Sequence, residues 1–419
     1  MHGSVVGQAC YHAWLIISGR TTMPRLLLTI LPVLALLFSA YGPAAHAAPY
    51  LPSTDSQVLE RLPLRPNDPV AREMRQLRNA LRADPRNVTI ATALARRYYD
   101  MVAEEGDPRY LGYAQAALAP WWDLPEPPVE VQVLRAGLAQ FSHNFSGALA
   151  DLSSVLARDP RQAQARALRA TIHIVQARYS EASADCVALR TLTSELIATG
   201  CGAMVDGLTG KLADAHERLA DALARHPEAT PAEKLWVLIR LAEMAQRQER
   251  ELQTESYFRQ ALGLGITDTF LLAAYADYLL DHRRYAEVVA MLKDKTPSDG
   301  LLLRLVLAES AMKLPGAPAR AATLAARYHA AQLRGDTVHQ QEEARFRLEI
   351  DDDPKAALPL AQENWKVQKE PRDARILLEA ALAARSPAAA APAVQWLRDS
   401  RIEDKRLMDL AEHLREGRK

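Results

Sequence analysis

Small and bulky apolar positions recur along the chain at a spacing that predicts pairs of helices. The segment HNFSGALADLSSVLARDP (143–160) begins a pattern that returns 34 residues later, where Phe145 is matched by Tyr179 and Ala148 by Ala182. A small residue lets two antiparallel helices approach closely, and a bulky neighbour fills the gap against the next pair. Since one helix-turn-helix unit has about this length, the pattern predicts stacked helix pairs.

The same pattern continues with varying loop lengths. Small residues near the middle of successive helices are 34, 33, 39, 34 and 32 residues apart: Ala136, Ala170, Ala203, Ala242, Ala276 and Ala308. These segments resemble the tetratricopeptide repeat, whose pattern is W-x2-L-G-x2-Y, then A-x3-F, then P. Most first helices lack the family's Trp, and Arg135 stands where Leu is usual. Over residues 71–385 the resemblance implies an all-α, right-handed superhelical solenoid of antiparallel helix pairs.

Composition agrees with this prediction and excludes one class of partner. Aromatic residues make up 6% of the 419 residues, and Ala, Leu, Arg and Glu are abundant, which favours helix because these side chains lose little rotamer freedom there. Lys and Arg balance Asp and Glu at 51 each. A nucleic-acid binder normally carries a basic excess that displaces counterions from phosphates, so no nucleic-acid partner is expected.

The beginning of the chain resembles an export signal. From Met23 it has a positive residue, Arg25, an apolar run over 26–38, and small residues up to Ala47, which is the build of a secretory signal peptide. We expect residues 1–47 to be removed, with 1–22 a miscalled start; the alternative is a longer uncleaved anchor. The protein would then be periplasmic or secreted, in a bacterial cell envelope.

The remaining boundaries follow from proline and from polar composition. Residues 48–70 contain five prolines and predict an extended lead-in that cannot sustain a helix. After the repeats, residues 386–419 end in a polar amphipathic segment, which we interpret as capping helices of the kind that solenoid ends require.

Motifs for cofactors, metals or catalysis are not found. The glycine cluster at 200–212 has Val205 where a phosphate loop or a dinucleotide fingerprint needs glycine, so we interpret it as close helix packing. The histidines show no zinc spacing and are interpreted as surface or turn residues. Asp351-Asp352-Asp353 precedes Pro354, which is typical of a helix start. We therefore predict no catalytic residues, cofactor or metal.

Two cysteines remain after export. Cys186 and Cys201 are equidistant from a predicted turn between antiparallel helices, so they would lie opposite each other. An oxidising compartment would allow a disulfide contributing about 3 kcal/mol. Two buried thiols are the alternative, because Cys also fits small core positions.

The resemblance also implies a binding surface. In this family the inner surface of the first helices holds a peptide or a partner helix. Matching the repeat register, we expect a groove lined by Arg96, Tyr99, Gln140, Thr171, Glu243, Gln246, Asp277 and Glu309, several of them acidic, for a basic or neutral protein partner. Trp121 and Trp122 are a further candidate, either as an aromatic anchor or as a cap over a gap between repeats.

Three functions are consistent with these features. The leading hypothesis is a non-enzymatic, exported scaffold for protein-protein interaction. The alternatives are an assembly or maturation factor for an envelope membrane complex, and an enzyme or enzyme subunit with a site in the irregular repeats after Gly300.

Overall fold

The structure is a computed structural model that describes residues 68–335 and 338–417. The predicted signal peptide and nearly all of the proline-rich lead-in lie outside these residues. Within them the chain forms helices and no strand. The helices are α1 Pro69–Ala83, α2 Val88–Glu105, α3 Arg109–Ala117, α4 Ala119–Trp122, α5 Val129–Phe141, α6 Phe145–Arg158, α7 Ala163–Val175, α8 Tyr179–Leu189, α9 Glu195–Gly207, α10 Leu212–Arg225, α11 Pro231–Arg247, α12 Glu251–Gly263, α13 Thr269–Asp281, α14 Tyr285–Leu292, α15 Asp299–Ala311, α16 Ala317–Leu333, α17 Gln340–Glu349, α18 Pro354–Val367, α19 Pro371–Ala383, a 3-10 helix Pro387–Ala390, α20 Ala391–Ser400 and α21 Lys405–Glu416.

Helix starts follow the capping chemistry written in the sequence. Thr230 accepts from the backbone N–H of Glu233, whose carboxylate accepts in return from the Thr230 N–H, which satisfies two orphan donors at once. Asp353 accepts from the N–H groups of Lys355 and Ala356 at the start of α18. The prediction that the Asp351–Asp353 run is a helix start is therefore confirmed.

The helices form two layers. An inner layer contains α2, α5, α7, α9, α11, α13, α15 and α17, and each of these packs against the next. The second helix of every pair packs on its own partner from the outside. Because alanines such as Ala203, Ala242 and Ala276 are fully buried between the layers, the helices approach closely. The predicted all-α array of helix pairs is confirmed.

The glycine cluster and the cysteine pair fix the middle of this array. A Cβ atom on Gly200 would overlap the indole of Trp236 on α11, so this glycine serves close helix packing, as predicted. Cys186 on α8 and Cys201 on α9 are joined by a disulfide with their Cα atoms 5.4 Å apart. Of the two arrangements that the sequence left open, the structure has the bridge.

The array curves until its beginning meets its middle. Helix α13 packs against α2, and the Thr269 hydroxyl donates to the carbonyl of Ala103 at 2.9 Å. At the end of α2, Gly106 has a φ of +68°, and any Cβ there would lie 2.7 Å from the Ser298 side chain. This contact closes the helix pairs from α2 to α13 into a ring, and α15 and α17 continue the array past it.

The C-terminal helices turn back onto the array instead of extending it. The Lys369 N–H donates to the carbonyl of Val175 on α7 at 2.8 Å, and Trp396 on α20 donates from its indole to the Tyr179 hydroxyl at 3.0 Å. Residues 386–419 were expected to cap the end of a solenoid. Their described part packs on middle repeats because Trp396 and Ile402 join the apolar core of α8–α11.

Candidate functional site

A cavity of about 820 Å³ lies between the inner layer and the C-terminal helices. Its walls are α11 and α13 of the array on one side and α19 and α21 on the other, with contributions from α7, α9 and α12. Ligand sites commonly occupy about 300–1,000 Å³. The volume therefore suits a small molecule or a few residues of an extended chain rather than a whole helix.

Part of the cavity surface is apolar. Met204 and Leu208 come from α9, Met244 from α11, and Leu407 and Leu410 from α21. Methionine is unbranched and polarisable, and it adapts its shape to different neighbours. This part of the cavity can therefore accommodate apolar side chains of more than one shape.

Charged side chains surround the apolar part, and most are paired with one another. Asp281, at the end of α13, accepts from Arg375 of α19 at 2.8 and 3.0 Å and pairs with Arg406 of α21 at 2.5 Å. Arg375 also pairs with Glu379 at 2.8 Å. One carboxylate thus connects the array to both C-terminal helices.

A second carboxylate on α13 connects this helix to the next two inner helices, α15 and α17. Asp277 pairs with Arg304 and with Arg345, each at 2.6 Å. Burial alone would raise the pKa of Asp277, but the two guanidinium groups hold it well below the usual range of a carboxyl group. Asp277 is therefore ionised and fully engaged, which leaves little of its charge for a ligand.

Where α11 and α19 line the cavity, two arginines stack on one aromatic ring. Arg240 and Arg372 place their guanidinium carbons 4.7 and 5.1 Å from the ring centre of Phe270, which is cation–π geometry. Burial raises the pKa of the adjacent Glu370 well above that of a free carboxyl group and lowers the pKa of Arg372 to about 10. This end of the cavity therefore carries less negative charge than its carboxylates suggest.

The structure divides the eight predicted groove residues into three sets. Glu243, Gln246 and Asp277 line the cavity. Four others are buried, and Arg96 is half-buried outside the cavity lining; the buried four are Tyr99, Gln140, Thr171 and Glu309. The predicted groove required all eight side chains to be accessible, and for the four buried ones this prediction is wrong.

The physical reason is that neighbouring helices cover these positions. The Tyr99 ring packs edge-on against Phe141, with ring centres 5.0 Å apart, and Glu309 pairs with Arg320 of α16 at 2.9 Å. Val367 of α18 packs against the apolar core of α5–α7. The C-terminal helices occupy space that an open solenoid would leave to a partner.

The tryptophan pair is half-buried at the short helix α4. Trp121 and Trp122 pack against the apolar core of α2, α3 and α5. The carbonyl of Trp122 accepts from Arg135, whose guanidinium also pairs with Asp151 at 2.6 Å. Both interpretations of this pair remain predictions.

The interpretation of the histidines as surface or turn residues is wrong at His216, which is buried within α10 and packs edge-on against Tyr257. His339 is also buried, but it lies in the turn before α17 and faces Tyr328. His282 and His413 line the cavity. Among the described residues, no group of three or more His, Cys, Asp or Glu side chains is arranged to hold a metal ion.

Sequence reasoning missed the residues that join the cavity walls. Asp281, Arg375 and Arg406 lie on helices far apart in the chain, and no local motif marks them. The apolar stretch Ile376-Leu377-Leu378 was the available signal, because a helix this apolar is buried on most sides.

None of the helices in the described ranges has the length and apolar content needed to span a bilayer.

Comparisons with known proteins are distant. No protein-family profile and no curated protein matches the chain. Among solved structures, a chain of the APC/C hetero-tetramer Cut9–Hcn1 aligns with 82% of this chain and 52% of its own length, at 12% identity and a TM-score of 0.38. This chain thus spans about half the length of that one. The P58(IPK) TPR domain aligns with 83% of this chain and 98% of its own, at 16% identity and a TM-score of 0.20. Likenesses of this strength carry no argument about fold or function.

Proposed function

We propose that the protein is a non-enzymatic, exported scaffold of tetratricopeptide type that binds a segment of another protein in the cavity between α11–α13 and α19–α21. The observation that carries the proposal is the cavity itself. It is walled by first helices of consecutive pairs, the surface that such repeats use for partners, and its 820 Å³ are not filled by the chain's own side chains. It is also the place where three of the predicted groove residues come together.

The lining favours a neutral or basic segment with an apolar side chain. Eight carboxylates and six Lys or Arg side chains surround the cavity. Most of these charges are satisfied within the protein, so the apolar part around Met204 and Met244 supplies the larger share of binding. A segment with an acidic excess would face unpaired carboxylates such as Glu249 on the rim, because like charges repel.

Two observations support export. The pattern of residues 23–47 is that of a secretory signal. The disulfide between Cys186 and Cys201 is of the kind that persists in oxidising compartments. We propose a bacterial cell envelope, with the periplasm as the compartment.

Filling the cavity tests the proposal without removing any contact. Ala274 lines the cavity on α13, and Ala274→Trp should occupy the space that a bound segment needs. The matched control is Ala286→Trp, since Ala286 is exposed on α14 and does not line the cavity. Affinity capture from envelope extracts should recover the same stoichiometric partner with the wild-type chain and with Ala286→Trp.

Ala274→Trp should lose that partner by at least ten-fold. Circular dichroism must first show that both variants are folded. Retention of the partner by folded Ala274→Trp would exclude the cavity as the binding site. If neither the wild-type chain nor the control captures a stoichiometric partner, the scaffold function itself is contradicted.

A further inference from the structure

Helix α21, residues Lys405–Glu416, differs from every other wall of the cavity in how it is attached. Its main packing partners are α19 and α20, the elements directly before it. Helices α11 and α13 lie across the cavity from it, so the cavity separates α21 from the array. We refer to α21 as the strap.

The segment before the strap is firmly anchored. Arg401 adopts a left-handed conformation with φ 58° at the end of α20, and Ile402 is buried. The carboxylate of Glu403 accepts from the Leu212 N–H at the start of α10. Asp404 then caps the strap by accepting from the Leu407 N–H at 3.1 Å. Any movement of the strap must therefore pivot close to Asp404.

The strap packs through one face. Leu407 and Leu414 are its buried side chains and belong, with the partly buried Leu410, to the apolar core of the middle repeats, while Met408 is 59% exposed. Two of its ion pairs are internal: Lys405 with Asp409 at 2.7 Å and Arg415 with Glu412 at 3.1 Å. These internal pairs stabilise the helical conformation of the strap, but they do not attach the strap to the rest of the protein.

The ion pair between Arg406 and Asp281 connects the strap to the array. Arg406 lies 2.5 Å from Asp281 on α13 and 3.9 Å from Glu379 on α19. The Arg406 side chain is about half-exposed, so solvent weakens this attraction. Asp281 keeps its pairing with Arg375 when Arg406 leaves. Release of Arg406 therefore leaves no unpaired buried carboxylate behind.

We propose that the strap is a gate: it pivots at Asp404, with release of the Arg406–Asp281 pair, to open the cavity to the partner segment. The pivoting follows from the contacts of the strap alone, whereas the role as a gate rests on the proposed function. Local opening of a C-terminal helix that packs through one face is expected to occur at a lower free energy than global unfolding.

Chemical labelling of a thiol inside the cavity measures the opening directly. Met244 is buried on the α11 wall, so Met244→Cys places a reactive group behind the strap. The full chain also carries Cys10→Ser, and the disulfide keeps Cys186 and Cys201 from reacting. With Arg406→Ala added, the rate of modification by a maleimide should rise about three-fold, since a half-exposed ion pair contributes about 0.7 kcal/mol and 1.4 kcal/mol corresponds to a factor of ten.

Arg415→Ala is the matched control, because it removes an arginine and an ion pair from the same helix without touching α13. It should change the labelling rate by less than two-fold. Equal acceleration by Arg406→Ala and Arg415→Ala, or no acceleration by either, would overturn the gate. The assay contains no partner, so its failure leaves the proposed function standing, just as failed capture by the wild-type chain leaves the movement of the strap standing.

Hydrogen exchange provides a second test that does not depend on a cysteine variant. Once the strap has pivoted away it is a 12-residue helix without tertiary support, and a helix of that length is marginal in water. Its amides should therefore exchange at least ten-fold faster than those of α19 in the wild-type chain, and Arg406→Ala should accelerate the strap alone. Exchange of the strap and α19 at one common rate would show that they open together, and the gate would be excluded.

Discussion

The repeat array and the strap are attached to the molecule by different kinds of interaction. Helix α11 has Trp236, Ile239 and Ala242 fully buried on several sides. The strap has two buried leucines and an ionic tether at Arg406. Apolar burial is additive over many contacts and insensitive to salt, whereas an exposed ion pair is weak and screened. The comparison indicates a rigid ring that carries one separately movable element.

The largest effect is expected from a cavity in the array. Phe258 on α12 is fully buried and packs against Tyr275, with ring centres 5.1 Å apart. Phe258→Ala should lower the free energy of unfolding by about 4 kcal/mol, because the transfer of apolar atoms is lost and a void remains. Urea denaturation measures the change. A loss below about 1 kcal/mol would contradict the view that apolar stacking stabilises the array.

A buried carboxyl group sets a pH dependence for the array. Asp268 caps α13 by accepting from the Leu271 N–H at 2.7 Å, and burial raises its pKa to about 7. The folded state therefore holds a proton that the unfolded chain loses near pH 4, so stability contributed by protonated Asp268 falls as pH rises from about 4 to about 7. Relative to Asp268→Asn, which can still cap the helix, the wild-type chain should lose on the order of 3 kcal/mol across this range.

Thermal denaturation of both chains between pH 4 and pH 8 tests this prediction. Parallel curves for the wild-type chain and Asp268→Asn would show that the buried carboxyl group is ionised throughout. The strap offers the contrast, since its Asp409 is exposed and pairs with Lys405 in solvent.

Loss of the disulfide should have a similar or smaller effect. The bridge closes a loop between residues 15 apart in sequence, and cross-linking a loop of this size stabilises a fold by about 3 kcal/mol through the unfolded chain. The double variant Cys186→Ser/Cys201→Ser should lower the free energy of unfolding by that amount and leave hydrogen exchange of the strap unchanged. A strap that opens faster in this variant would mean that the two regions are coupled.

The smallest effect is expected on the outer face of the strap. Met408 is 59% exposed, and Met408→Lys should change the unfolding free energy by less than about 0.5 kcal/mol, as is usual for surface positions. Calorimetry measures the shift. A loss above 1 kcal/mol would show that this face of the strap is covered, contrary to its role as a movable element.

Local patterns predicted the units of the fold well. The 34-residue spacing of Phe145 and Tyr179 places the first residues of α6 and α8, because packing of small and bulky residues within one helix pair is a short-range property. Glycine at 200 and the Asp353-Pro354 start were likewise interpreted correctly from their immediate neighbours.

The contact that closes the ring between α2 and α13 could not be predicted from the repeat pattern of the sequence. The contact of Thr269 with Ala103 depends on small rotations that accumulate over several helix pairs, and no single repeat encodes that sum. The groove prediction placed its residues on the first helices correctly, yet Gln140 and Glu309 are buried. Glu309 pairs with Arg320 of the later helix α16, a contact that no single repeat encodes. The polar composition of the last residues led to the prediction of capping helices, although Trp396 and Ile402 are apolar and belong to the core.

Ring closure has a consequence for how this protein can vary. An open solenoid gains or loses units freely, since each unit touches its neighbours alone. Here the carbonyl of Ala103 and the hydroxyl of Thr269 must meet after a fixed number of helix pairs. Adding or removing one unit between them would carry these two points past each other, so the count of repeats is constrained in the way that strand number constrains a closed barrel.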